Sequence, residues 1–178
     1  MAEAFSNKLA RAVGVVNSST GGSIGITTNL ITGISTTGVT VADLVESGQY
    51  LAGTKVSSIG AGQVVVDRDS TNTAAASSQN VKFLTPHTLY TSTGVKTILI
   101  GGTFANNTNG QVGLTVEVTD TSASITVAVA SKIPVPAGSS FVISDTGKTL
   151  LESGDSIKIY CDTANAIDAN ISILTGVN

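Results

Sequence analysis

The sequence predicts an all-β protein, an antiparallel β-sandwich of Greek-key or jelly-roll type that carries a small β module and a short N-terminal helix. Three observations predict it. The first is composition: only 12% of the 178 residues are charged, while 21 Ser, 25 Thr and 19 Gly occur. That charge share is about half the usual one for a soluble domain. Thr is β-branched and favours strands, and Gly and Asn supply the turns between them. The second is patterning: apolar residues come in short stretches of period two, broken by turn residues. The third is that a helical period occurs in one good segment, at the start. Hydrophobic residues reach 41%, so the chain can bury a core and wholesale disorder is not expected.

The helical segment covers residues 3–13. Phe5, Leu9, Ala12 and Val13 fall at i, i+4, i+7 and i+8, on one face. Gly14 suits the position just past a helix end. A helix of about ten residues is marginal alone, because nucleation is costly. The arm formed by residues 1–20 is therefore expected to dock on its own domain or on a neighbouring subunit. Phe5, Leu9 and Val13 are its candidate interface anchors.

Residues 17–28, NSSTGGSIGITT, read as a linker or first strand, and 21–84 as a small β module. Its apolar stretches are NLITGI, GVTVADLV, TKVSSI, QVVVD and NVKFL, separated by Gly33, Gly38, Ser47-Gly48, Gly53, Gly60 and Gly62. Short strands of period two suit a compact barrel or sandwich. Residues 70–80, STNTAAASSQN, hold almost no large apolar side chain and read as an exposed loop.

Residues 85–178 give the cleaner strands of the sandwich domain. Leu114, Val116 and Val118 alternate with Thr115, Glu117 and Thr119, and Ile125, Val127 and Val129 alternate with Thr126 and Ala128. Asp120-Thr121-Ser122-Ala123 joins the two as a hairpin connection. Ile157, Ile159 and Cys161 share a face, as do Ile171 and Ile173. VKTILIG is apolar on both faces, as a central or covered strand would be. Pro134 and Pro136 assign IPVPAGSS to an edge or a crossing. About six or seven strands over such a length suit an antiparallel sandwich.

The residues that carry chemistry are sparse. His87 is the lone histidine, and no GxSxG elbow accompanies it. Asp67, Asp69 and Asn72 place oxygens as a calcium loop would, but Gly and Glu are missing at the EF-hand positions. One Cys and one His cannot make a zinc cluster. Gly21-Gly22 and Gly101-Gly102 match neither a Walker motif nor GxGxxG. Cys161, in phase with Ile157 and Ile159, reads as a buried thiol and excludes an intrachain disulfide. No catalytic, cofactor-binding or metal-binding residue is assigned, no cofactor is implied, and no enzyme is expected. The nine Lys and Arg are scattered at a net charge of −3, which disfavours nucleic acid. No apolar run approaches the ~20 residues needed to span a bilayer. MAEAFSNKLARAVGVV lacks an apolar signal core, so folding in a cytoplasm is expected. Tyr50 and Tyr90 are the candidate aromatics for stacking on a sugar.

In order along the chain stand AFSNKLARAVG, TLYTSTGVKTILIGGTFAN, GLTVEVTD, KIPVPAGSSFVI, KTLLESGDSIKIYC and ISIL. In their order and spacing these stretches resemble a family of small virion structural proteins of tailed bacteriophages, including phages of marine bacteria and of the cyanophage type. Between them, GVTVADLVESGQYLAGTKVSSIGAGQVVVDRDSTNTAAASSQNVKFL resembles inserted modules of phage tail and surface proteins. The resemblance implies a capsid decoration or cement protein that binds the major capsid protein. The alternatives are a neck, collar or tail accessory protein that attaches fibres, or a receptor- or glycan-binding knob. It further implies a homo-oligomer residing in the virion and assembled in the host cytoplasm. A lightly charged surface costs little to desolvate, which suits contact with other chains.

Overall fold

The computed structural model describes residues 3–144 and 148–177. The described residues form β-strands and turns, without a helix, and the strands pair antiparallel. The strands in chain order are β1 (Ala4–Val13), β2 (Val15–Ile24), β3 (Leu30–Thr32), β4 (Leu44–Glu46), β5 (Val56–Gly60), β6 (Gln63–Val66), β7 (Ala76–Thr85) and β8 (His87–Thr91). They continue as β9 (Lys96–Asn106), β10 (Val112–Asp120), β11 (Ile125–Val135), β12 (Ser140–Ile143), β13 (Thr149–Leu151), β14 (Ser156–Cys161) and β15 (Ile167–Val177). The chain divides into two compact units, one of residues 1–15 with 87–178 and one of 16–86.

The first unit holds two sheets. One has the order β1-β15-β9-β12, with β13 also on β9, and the other β11-β10-β14-β8. They share one core. Leu99, Phe104, Ile167, Ile171 and Ile173 of the first sheet cluster with Leu114, Val116, Ile157, Ile159 and Cys161 of the second. The alternation that places Leu114 and Val116 inward follows from the period of a strand.

The second unit is a single sheet, β4-β7-β2-β3-β6-β5. A bridge between Leu44 and Lys55 ties its two end strands, helped by Val45 N–H to Thr54 O (2.8 Å) and Val56 N–H to Asp43 O (2.9 Å). The sheet thus closes on itself into a small barrel, around a core that includes Ile24, Ile31, Val64, Val66, Val81 and Phe83. Closure removes the unpaired edges that an open sheet exposes.

Several expectations are corrected here. The N-terminal segment is a strand, not a helix. β1 pairs with β15 from Ala4↔Thr175 to Ala10↔Ala169, and this ladder satisfies the backbone groups that a short helix would have to bond internally. Its spacing did not discriminate: an offset of four is even, so Phe5 and Leu9 share a face in a strand as they would in a helix. Of the two readings of residues 17–28 the strand holds, since most of them belong to β2, whereas β7 begins at Ala76, inside the segment read as a loop. In that part of β7 the side chains of Ser77, Ser78 and Asn80 are exposed, so backbone pairing rather than apolar burial makes the strand. Ile125, Val127 and Val129 do not enter the core; they are 54%, 54% and 45% exposed. Their strand lies at the end of its sheet, where alternation persists without a layer to cover it.

Candidate interaction surface

β1 presents Phe5, Asn7, Leu9 and Arg11 outward, while Ser6, Lys8 and Ala10 are half-buried on its other face. Phe5 is 66% and Leu9 75% exposed. Val13 does not join them. Ala12 has φ +53°, the register with β15 shifts between Ala10 and Val13, and Val13 turns into the core at 5% exposure. A β-bulge of this kind re-aims the side chains that follow it. Of the three anchors read from the sequence, the structure therefore brings two together.

The strand register shows which residues join Phe5 and Leu9. Phe5 stands opposite Leu174, Leu174 opposite Ile98, and Ile98 opposite Leu150. This row crosses four strands, with Leu150 exposed and Leu174 and Ile98 half-buried. A second row runs Leu9, Asn170, Thr103 and exposed Val142. Between them the Ser172 hydroxyl donates to Asn7 Oδ1 at 2.9 Å. An open groove of about 540 Å³ lies beside Leu9, lined also by Arg11, Thr103, Ala105 and Asp168. The backbone N–H of Ala12 (2.7 Å) holds the Asp168 carboxyl below its ordinary range, with help from the Asn107 side chain and the Arg11 charge. The first row is therefore apolar, the second is apolar at its two ends and polar at Asn170 and Thr103, and Arg11 and Asp168 lie beside Leu9. Leu150, Val142, Leu174 and Ile98 come from separate strands, and only the register reveals that they share a surface.

A second cavity, about 570 Å³, is polar and lined by residues 105–109 and 137–140. Asn106 organises it. Its buried amide donates to the Gly110 (2.7 Å), Val135 (2.9 Å) and Pro136 (3.2 Å) carbonyls and accepts from the Thr108 N–H and hydroxyl. Asn106 is thus a buried staple of this loop, while Asn107 beside it is exposed.

Compared with protein-family models, curated proteins and solved structures, the chain matches none.

The remaining sequence candidates are scattered. His87 is exposed at the start of β8. Asp67 accepts the Lys55 N–H at 2.9 Å and lies 3.6 Å from Arg68. Among the described residues no group of three His, Cys, Asp or Glu side chains gathers as a metal site would require. Cys161 is buried, with its Sγ within 3.0 Å of the Thr163 carbonyl, and burial pushes its thiol up. Tyr50 is buried, not exposed as a sugar platform would be, and its hydroxyl donates to the Thr28 carbonyl at 3.0 Å. Tyr90 is half-buried; its hydroxyl lies 3.0 Å from that of Thr97, and its ring lies beneath the Lys8 ammonium at 5.7 Å.

Proposed function

We propose that this chain is a non-enzymatic structural subunit of a tailed-bacteriophage particle. It acts as a capsid decoration or cement protein that seats the outer face of the β1-β15-β9 sheet on the major capsid protein. The observation that carries the reading is the pair of outward rows, led by Phe5 and Leu9. Large apolar side chains that are exposed on a rigid sheet gain most when a partner desolvates them. The ordered stretches that resemble virion proteins supply the class of partner.

The architecture fits the same role. We read the first unit as an eight-stranded jelly roll. Counting β1 as one, β8 to β11 as two to five, β12 with β13 as six, and β14 and β15 as seven and eight, the sheets run 1-8-3-6 and 5-4-7-2. That order supports a pair of nested Greek keys, an arrangement that hosts capsid and lectin domains alike, so the site has to choose between them. The buried Tyr50 removes one of the two sugar-stacking candidates and weighs against a glycan-binding knob. A neck, collar or tail accessory role would use the same face on a different partner. Copies in the virion, assembled in the host cytoplasm, complete the reading.

Add-back to stripped particles tests it. The double variant F5K/L9K should fold normally, since both side chains face water, yet bind capsids about 30-fold more weakly, as loss of a hot-spot anchor implies. The wild-type protein should raise the melting temperature of the particle. Unchanged binding by the variant overturns the face, and absence of binding to any particle protein overturns the role.

A further inference from the structure

We propose that a second copy of this chain pairs with β11, edge to edge and antiparallel. This deepens the multi-copy part of the reading above and uses a different surface. β11 ends its sheet, and among the described residues no strand bonds to its outer side. An open edge offers unpaired backbone N–H and C=O groups to another strand, so proteins usually guard it with charge, proline, bulges or brevity.

The other edges of this protein are guarded. β1 carries Lys8, Arg11 and the bulge near Ala12. β8, β12 and β13 are 5, 4 and 3 residues long. The end strands of the barrel are tied to one another. On β11 itself the guards sit in the second half, with Lys132 at φ +49° and Pro134. Its first half carries neither charge nor proline from Thr121 to Ser131, although its register with β10 shifts at Val129, between Ala128 and Ala130.

That half is also self-complementary. A two-fold axis through Val127 would set Val127 against its own copy on one face and Thr126 against Ala128 on the other, within the run Ile125–Ala128 that keeps a regular register with β10. Such an isologous contact is the commonest form of homodimer, and cross-strand β-branched pairs are the favourable ones. No like charges oppose each other. The edge is also pre-organised. The Thr119 and Thr126 hydroxyls bond across the hairpin at 3.0 Å, and Asp120 Oδ1 holds the tip through the Ser122 hydroxyl (2.8 Å) and the Ala123 N–H (2.9 Å). Little order remains to be imposed on pairing. A contact of one strand pair is small, so micromolar affinity is expected.

Sedimentation of the full chain over a range of micromolar concentrations tests this. The wild type should move between 17.8 kDa and twice that mass. V127K, on the axis, and T126K, on the other face, should remain monomeric with unchanged circular dichroism, while V127T should still dimerise. A wild type that is monomeric throughout, or an oligomer unaffected by both lysines, overturns the proposal. So does one dissolved by F5K/L9K instead. V127K should keep the capsid binding that F5K/L9K loses, so failure of one idea is distinguishable from failure of the other.

Discussion

Tyr50 shows how a single residue is decided by its surroundings. Burial, with the Asp69 charge nearby, pushes its phenol up to about 12. The folded value lies above the ordinary one of about 10, so the stability it lends is full below pH 10 and is lost as pH rises through 12. Ultraviolet titration should show a tyrosine ionising late, near pH 12, and Y50F should remove that step. Absence of a late step in the folded protein would contradict the burial. The sequence placed Tyr50 next to Gln49 and Leu51 in a turn-rich segment, where nothing marks it as inward-facing. Its hydroxyl partner, Thr28, lies 22 positions away. Asn106 was hidden in the same way: its acceptors include carbonyls 29 and 30 positions on.

At the scale of strands, the alternating segments were readable because period two survives in both covered and uncovered sheets. Leu114, Val116, Ile157, Ile159, Ile171 and Ile173 are all buried as the pattern requires. On β11 the same pattern stays exposed at Ile125, Val127 and Val129, since alternation identifies a strand but not the layer that covers it. β1 was misread for a related reason, the even spacing of Phe5 and Leu9. The junction after β1 makes a sharp test. Gly14 has φ +125°, and a Cβ there would strike the Thr163 carbonyl and lie 2.6 Å from Cys161 Sγ. The Asn165 N–H also donates to its carbonyl at 2.7 Å, so the backbone has little freedom to withdraw. G14A should cost about 2–4 kcal/mol, combining a strained φ with an overpacked contact. Chemical denaturation should show the loss, and a change under about 0.5 kcal/mol, the scatter of neutral surface changes, would refute it.

Across the whole molecule, two separate cores sit in two runs of contacts. The sequence reading placed its module at 21–84, and the second unit of the structure covers 16–86. The short alternating stretches and glycine turns that marked the module are its strands and loops, but no residue signals that β4 and β5 close the barrel, because the Leu44–Lys55 bridge depends on a register that no local pattern encodes. A closed sheet with its own apolar centre should fold alone. Residues 16–86 expressed as a fragment are expected to give a cooperative melt and dispersed amide resonances; a fragment without either would show that the barrel depends on the rest of the chain.

The barrel takes in the chain on β2 and releases it on β7, and these two strands are neighbours in its sheet. Gly22 on the one lies against Val81 on the other. A segment held by adjacent strands behaves as a cassette. Replacing it with another body whose ends meet at the same spacing should leave β1 and β8 to β15 free to form their own pairings, because the pairings of those strands do not involve residues 16–86.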